Sequence, residues 1–268
     1  IAAYDVIGTE VTKITPGYVY HPSHELYPTY GDFDSHLYFV FGAISFVGEL
    51  FMREQETYRE NIDKPSSEDE ESSFGRGRNT ERNRELLKFN DHLAQGELYK
   101  EWEKFDHPVY GEIEIGGWVK MSSRLPHPFM LPDMVHRNAS VVLLSAEETA
   151  EIEMDVFDVK KLDNNLYQVR VRLENKKGLP SMTAYAAKNK LYPKDMLKVS
   201  GGKVVAGGKI TNLRLDKVSY KDKKPEIQFL AVPGYGVEEY QFLIDGKGEI
   251  TFDFISQKAK NVSTSVKL

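Results

Sequence analysis

From residue 167 the chain alternates strictly between apolar and polar side chains, and this alternation leaves few folds open. Tyr167, Val169, Val171 and Leu173 alternate with Gln168, Arg170 and Arg172. Because successive side chains of a strand point to opposite faces, the pattern predicts a β-strand with one buried face. Similar runs at 227–232, 240–244 and 248–255 are separated by Gly-, Asn- and Asp-rich turns, without helical patterns between them. The sequence therefore predicts an antiparallel β-sandwich.

The first half of the chain carries different patterns. Residues 37–41 followed by Gly42 predict a buried helix that ends at the glycine, and Ile44 to Phe51 predicts a short buried strand. Leucine and aromatic residues recur at helical spacing from Glu81 to Phe105, which predicts a helix there. We expect β-structure from about Ala139 onwards and a hairpin turn at 199–203.

Charge and cysteine content exclude several classes of protein. The 268 residues carry 41 acidic and 35 basic side chains, a net charge of -6, which argues against a nucleic-acid binder. The longest apolar stretch, Leu37 to Leu50, is too short to span a bilayer. Cysteine is absent, which excludes disulfides, thiolate metal sites and cysteine nucleophiles. Because the chain begins at Ile1 without an initiator Met or a leader pattern, we expect a processed product or a fragment.

One segment has the composition of a solvated loop. Pro65 to Gly77 contains four consecutive acidic residues flanked by serines, and a basic run follows it. Such a sequence buries little apolar area, so we expect a mobile surface insertion.

The densest polar cluster contains His21, His24 and Glu25, with His36 nearby. Catalytic zinc sites favour sets of His and Glu, so this cluster is a candidate metal site. However, Pro22 disfavours the helix interior that would hold two closely spaced ligands. Solvated or hydrogen-bonded histidines are therefore the favoured interpretation.

Glu49 is the one charged residue in the apolar run from Ile44 to Phe51. A carboxylate is costly to bury unless it is paired or lies beside a metal. Two interpretations remain open: a general base at a strand end, where α/β sheets place active sites, or a Glu that leaves the sheet into solvent.

Several of these residues resemble a known family. Glu25 to Asp34, Tyr38, Gly42, Ser45-Phe46 and Glu49-Leu50 resemble the final active-site stretch of zinc metallocarboxypeptidases of the carboxypeptidase A type. Trp102, Phe105 to Pro108 and Gly111 to Trp118 resemble the segment that follows the catalytic core in large bacterial members. Leu166 to Pro180 resembles the opening strands of the β-sandwich that those members carry.

The resemblance implies roles for individual residues. Glu49 matches the catalytic glutamate, which activates the zinc-bound water and passes its proton to the leaving amine. Tyr27 is the best match for the mobile tyrosine that closes over the substrate, and Tyr30 is a second candidate. Phe33 falls where the pocket for the substrate's C-terminal side chain is lined, and Asp34 matches a structural position.

The resemblance also implies that the zinc ligands lie outside this chain. The family's His-x-x-Glu pair and third His precede the catalytic glutamate, and no His-x-x-Glu occurs in this sequence. The chain would then hold no zinc by itself, and its partners would be the upstream catalytic half and the C-termini of peptide or protein substrates. Export from a bacterial cytoplasm is a further implication.

The predicted fold class is therefore α+β: a remnant of an α/β carboxypeptidase-like domain followed by an antiparallel β-sandwich. The predicted divisions are the catalytic remnant at 1–64, the charged insertion at 65–80, a helix and connecting segment at 81–145, and the sandwich at 146–268. The alternative is a non-catalytic binding or scaffold module with a degenerate peptidase remnant and a ligand-binding sandwich.

Overall fold

The computed structural model describes residues 2–15, 18–26, 28–50, 80–122 and 124–268. They divide into two compact units, one from residues 1–8, 22–47 and 144–268, the other from residues 9–21 and 48–143. The helices of the described residues are α1 (Ala2–Ile14), α2 (Ser23–Leu26), α3 (Phe33–Phe41), α4 (Thr80–His92), α5 (Leu131–Glu147) and α6 (Ala184–Asn189).

The described strands form three antiparallel sheets. They are β1 (Tyr99–His107), β2 (Gly111–Trp118), β3 (Ile152–Lys161), β4 (Leu166–Asn175), β5 (Asp195–Ser200), β6 (Lys203–Asn212), β7 (Lys217–Tyr220), β8 (Ile227–Leu230), β9 (Val237–Asp245), β10 (Glu249–Ile255) and β11 (Val262–Lys267). Strands β1 and β2 pair as a hairpin in the second unit. In the first unit, one sheet has the order β3-β4-β9-β6-β7 and the other the order β11-β10-β5-β8.

The two sheets of the first unit share one hydrophobic core. Val169, Val171 and Leu173 on β4 are fully buried, which confirms the strand that the alternating pattern predicts. Phe242 on β9 and Phe252 on β10 come from opposite sheets, and their ring centroids are 5.8 Å apart. Each such buried side chain stabilises the fold by about 1.5–3 kcal/mol relative to exposure. The β-rich C-terminal half is thus a layered pair of sheets.

The polar residues of the same alternation lie on the outer face of the five-stranded sheet. The Nε of Arg170 donates a hydrogen bond of 2.8 Å to Gln241, and its guanidinium also pairs with Asp216. Arg172 pairs with Glu239 at 2.8 Å. Cross-strand pairs of this kind each add a few tenths of a kcal/mol up to about 1 kcal/mol and fix the strand register.

The turn at 199–203 is not a hairpin turn, contrary to the sequence prediction. Strand β5 ends at Ser200 in the four-stranded sheet, and β6 begins at Lys203 in the five-stranded sheet. The connection therefore crosses between sheets. Gly201 has φ +94°, and a Cβ there would lie 2.2 Å from the carbonyl oxygen of Glu249. Only glycine fits a crossing this tight.

The helix expected from Glu81 to Phe105 is also shorter than predicted. Helix α4 ends at His92, and the chain becomes strand β1 at Tyr99. Gln95 and Gly96 adopt left-handed backbone conformations, with φ of 55° and 78°. The amide of Gly96 donates a hydrogen bond of 2.9 Å to the carbonyl oxygen of Asn90. These turns reverse the chain, so the apolar residues that follow them lie in the β1–β2 hairpin and not in a helix.

Three further expectations need correction. Residues 139–147 belong to helix α5, so β-structure begins at Ile152 and not near Ala139. Helix α3 ends at Gly42 as predicted, with φ 61°, but it contains no buried residue. The described residues 44–50 lie outside any strand, and Phe46, Val47 and Leu50 are exposed. The expected loop from Pro65 to Gly77 lies outside the described residues.

Candidate functional site

Glu49 lies in an irregular segment that follows helix α3. Residues 43–49 adopt no helix or strand, and the side chain of Glu49 is exposed. Its apolar neighbours Val47 and Leu50 are exposed as well. Of the two interpretations of Glu49, the structure shows the carboxylate directed to solvent and not buried in a sheet.

The backbone beside Glu49 is held by a polar contact that the sequence did not reveal. The hydroxyl of Tyr18 donates to the carbonyl oxygen of Leu50 at 2.5 Å. The amide nitrogen of Asn138 lies 3.3 Å from the same oxygen and 3.2 Å from the Tyr18 hydroxyl. It also donates to the Met134 carbonyl within helix α5 at 2.9 Å. We name Tyr18, Asn138 and the Leu50 carbonyl the Tyr18 clamp.

The clamp places a phenol close to the carboxylate of Glu49. Partial burial raises the pKa of Tyr18, the hydrogen bond from Asn138 lowers it, and the negative charge of Glu49 raises it further. Tyr18 therefore stays protonated and keeps its hydrogen for the Leu50 carbonyl.

The start of helix α3 carries the other residues that the family resemblance singles out. Tyr30 is 93% exposed, and Phe33, the first residue of the helix, is 75% exposed. Both rings are accessible to a ligand, but neither lines an enclosed pocket. Tyr27 lies outside the described residues.

The polar residues at this helix start have structural contacts. The carboxylate of Asp32 caps helix α3 by accepting a 2.8 Å hydrogen bond from the amide of Ser35. Hydrogen bonds from Ser35 and Thr29 hold the pKa of Asp32 well below its usual range. The carbonyl of Asp34 accepts a hydrogen bond of 2.9 Å from the Ser45 hydroxyl, which ties the helix to the segment before Glu49.

The described residues do not supply a zinc site. No group of three His, Asp or Glu side chains among them could hold a metal ion. His21 is exposed, and His36 packs edge-on against Phe41 with ring centroids 5.7 Å apart. The side chain of His24 is not among those that the structure describes. The donor set that zinc requires does not fit this part of the chain, so no chemical step through zinc is assigned to it.

The Gly116-Gly117-Trp118 segment has a structural explanation in the β1–β2 hairpin. A β-bulge in β1 presents Trp102 opposite these glycines, and a Cβ on Gly116 would lie 2.7 Å from the Trp102 Cα. One hairpin face is apolar and partly exposed, with Phe105 paired with Ile113, and the other carries the Lys104–Glu112 ion pair at 2.9 Å. The motif shapes the hairpin and contributes no chemical group.

Asn175 lies in the segment from Leu166 to Pro180, which is part of the family resemblance, and it also has a structural role. Its buried side chain donates to the carbonyls of Leu179 at 2.8 Å and Pro233 at 3.1 Å. It accepts from the amides of Glu151 at 3.2 Å and Lys177 at 3.1 Å. One amide side chain thus closes the loops at one end of the sandwich.

A second polar cluster, which the sequence did not indicate, lies inside the first unit. Asp195, the first residue of β5, is 0% exposed. Neither of its carboxylate oxygens makes a hydrogen bond of normal geometry with the described residues, and the same holds for the buried hydroxyl of Tyr192. Burial raises the pKa of Asp195, and the nearby hydroxyls of Ser181 and Ser256 lower it by less. Burial and the charge of Asp195 raise the pKa of Tyr192.

Known proteins resemble only part of this chain. A family described as "Domain of unknown function (DUF8731)" matches residues 151–267, which contain strands β3 to β11. No curated protein is significantly similar to the chain. None of the described helices is long and apolar enough to cross a membrane.

Three solved structures are similar to somewhat less than half of the chain. A GH3 β-glucosidase from Bifidobacterium adolescentis has 14% identity and a TM-score of 0.23, over 44% of this chain and 17% of that one. The PapD-like domain 7 of human CEP192 has 9% identity and a TM-score of 0.22, over 45% of this chain and 86% of that domain. A β-glucosidase from Listeria innocua in complex with isofagomine has 10% identity and a TM-score of 0.21, over 44% and 16%. Similarities of this size carry no information about activity.

Proposed function

We propose that this chain is the C-terminal portion of a zinc-dependent metallocarboxypeptidase-like protein, to whose active site it contributes Glu49. The observation that carries the proposal is the irregular segment around Glu49, residues 43–50. It presents an exposed carboxylate between exposed apolar side chains, and the Tyr18 clamp fixes its backbone on one side. Such a segment fits a site that another part of a protein completes.

Exposed apolar residues on both sides of Glu49 support this arrangement. Val47 and Leu50 leave apolar surface in water, and covering it would stabilise the assembled protein by about 25 cal/mol per Å². Covering Val47 and Leu50 would also remove water from around Glu49, which favours a carboxylate acting as a general base. Zinc ligands would come from other segments, because the described residues offer no set of three.

The test uses the protein encoded by the complete gene that contains this chain. We expect it to remove C-terminal residues from peptides and Glu49→Gln to lower kcat by about 10²- to 10⁴-fold, the usual size of a general-base contribution. Glu114→Gln, on the charged face of the hairpin, is the matched control and should leave the rate unchanged. Equal rates for Glu49→Gln and the parent protein would contradict the proposal.

The alternative is a binding or scaffold module with a degenerate peptidase remnant. The hairpin supports it, because two aromatic side chains of strand β1, Trp102 and Phe105, are 59% and 42% exposed. The upstream coding sequence separates the two functions. The peptidase requires a His-x-x-Glu pair and a third His there, whereas a scaffold does not. Export of the parent protein is part of the peptidase proposal and would be tested by fractionating the source cells.

A further inference from the structure

The five-stranded sheet of the first unit opens into a groove between two of its strands. Strands β6 and β9 are paired in register as far as Lys209 and Tyr240. Beyond this point β6 continues to Asn212 paired with β7, whereas β9 is paired with β4 back to Val237. Among the described strands, residues 237–239 therefore have a register partner on one side only. Residues of β4, β6 and β9 line a groove of about 490 Å³ at this place, a volume typical of ligand sites.

The backbone of Val237 faces this groove. The amide of Asn175 donates a hydrogen bond of 2.9 Å to the carbonyl oxygen of Gly236. Hydrogen-bonded and non-hydrogen-bonded pairs alternate along antiparallel strands, so the next pair, Val237 and Glu174, is of the non-hydrogen-bonded kind. The amide and carbonyl of Val237 therefore point away from β4 and towards the groove. A strand edge of this kind can accept another extended chain.

Five charged side chains line the groove, and four of them form two ion pairs. Arg172 lies 2.8 Å from Glu239, and the ammonium of Lys209 lies 2.6 Å and 2.8 Å from the two carboxylate oxygens of Glu238. The fifth, Glu174, pairs with neither of these cations. The groove itself thus has one carboxylate more than it has cations.

Glu174 shares its cation with a second carboxylate. The ammonium of Lys176 lies 2.8 Å from Glu174 and 3.3 Å from Glu153 on the neighbouring strand β3. Even with Lys176 included, the carboxylates of this cluster outnumber its cations by one. The side chain of Glu174 is 41% exposed, so a cation that enters the groove can reach it.

From this geometry we infer that the groove binds an extended peptide segment that carries a lysine or arginine side chain. The peptide backbone pairs with Val237 as a strand added to the open side of β9. Alternate side chains of a strand share a face, so Val237 and Glu239 lie on one face, and Glu174 lies opposite Val237 on that face. A basic side chain next to Val237 on the added strand balances the surplus negative charge. The inference does not rest on the proposed peptidase function.

Fluorescence polarisation with two labelled pentapeptides tests the site on the 268-residue chain. Both peptides have blocked ends; one is Thr-Val-Lys-Val-Thr, and the other has Gln in place of Lys. Valine and threonine favour the extended conformation. We expect the lysine peptide to bind with a Kd below about 1 mM. The glutamine peptide should bind about three- to fivefold more weakly, the usual size of a partly exposed ion pair. Equal affinities, or no binding of either peptide, would overturn the inference.

Two variants locate the basic side chain. Glu174→Gln removes the surplus carboxylate, so the lysine peptide should bind about three- to fivefold more weakly and the glutamine peptide as before. Glu153→Gln is the matched control, because it also removes a partner of Lys176 but does not line the groove. At about 0.15 M salt, where charges are screened within about 8 Å, it should leave both affinities nearly unchanged. A preference for lysine that survives in Glu174→Gln would overturn the inference.

Val237→Pro tests the added strand. Proline is tolerated as the first residue of a strand, but it has no amide hydrogen for the peptide. Both peptides should therefore bind about three- to tenfold more weakly, the effect of one lost hydrogen bond. Val237→Thr keeps the amide and should bind both peptides as the parent chain does. Unchanged affinities in Val237→Pro, with the circular-dichroism spectrum of the parent chain, would show that the peptide does not pair with β9.

Discussion

At the scale of single residues, polar side chains that bond to backbone groups explain the motifs better than chemical reactivity does. Asn175 and Asp32 complete loops and helix ends, and neither belongs to the predicted active-site set. Sequence reasoning selected residues for the chemistry of their side chains. It could not show that Asn175 would meet the Glu151 amide and the Pro233 carbonyl, because those two partners are 24 and 58 residues away in the sequence.

Asn175→Ala should destabilise the first unit by about 2–4 kcal/mol, because it leaves two carbonyls and two amides without their partners. Asn164→Ala, in an exposed turn, is the control and should cost less than about 1 kcal/mol. Denaturant unfolding followed by far-ultraviolet circular dichroism measures both. A loss no larger than that of the control would show that the four bonds contribute little.

Alanine substitutions at two glycines with positive φ distinguish the cost of backbone strain from the cost of a steric clash. Gly201 and Gly248 have φ +94° and +110°, but a Cβ meets the Glu249 carbonyl only at Gly201. Gly248→Ala should cost about 1–2 kcal/mol from strain alone. Gly201→Ala should cost about 1–3 kcal/mol more, because the sheet crossing must open. Equal losses in the two unfolding curves would contradict the role assigned to the crossing.

At the scale of elements, the pattern of apolar residues predicted strands well where one face is buried and poorly elsewhere. Val169 to Leu173 alternates against a core, and the structure confirms the strand. Trp102 and Phe105 fit a helical spacing by chance, and the backbone turn at Gln95 and Gly96 assigns them to β1 instead. Apolar residues on partly exposed elements carry no reliable period, since no core fixes which face they share.

The hairpin should lose structure before the sandwich. A two-stranded hairpin is marginally stable by itself, and both tryptophans of the chain, Trp102 and Trp118, lie in it. Tryptophan fluorescence therefore reports the hairpin alone. We expect its unfolding midpoint to fall at lower urea concentration than the circular-dichroism midpoint. Coincident midpoints would show that the hairpin unfolds together with the sheets.

Gly116→Ala tests the bulge within the same hairpin. A Cβ there would lie 2.7 Å from the Trp102 Cα, so the strand pairing must shift and Trp102 should become more exposed to water. The fluorescence maximum should move to longer wavelength. Gly48→Ala, where a Cβ meets no atom within 4 Å, should leave the spectrum unchanged. An unchanged spectrum for Gly116→Ala would contradict the bulge geometry.

At the scale of the whole molecule, the sequence predicted the β-rich C-terminal half, and the described residues show it as two sheets around one core. The carboxypeptidase-like remnant remains a prediction. The described residues up to Leu50 form three helices and no strand, so they do not contain the buried strand that the apolar run from Ile44 predicted.

The segment before Leu50 should therefore be the least protected part of the described chain. Backbone amides at 43–50 are in no regular ladder, whereas β4 is paired on both sides by β3 and β9. Hydrogen exchange followed by mass spectrometry should show rapid exchange at 43–50 and slow exchange on β4. Slow exchange in both regions would contradict the view that this segment awaits another part of the protein.

Zinc content tests the central claim most directly. Elemental mass spectrometry, after dialysis against trace zinc, compares the 268-residue chain with the protein encoded by its complete gene. We expect no bound zinc in the chain by itself and about one zinc per molecule in the complete protein, whose other segments supply the ligands. Stoichiometric zinc in the 268-residue chain, or none in the complete protein, would contradict the account.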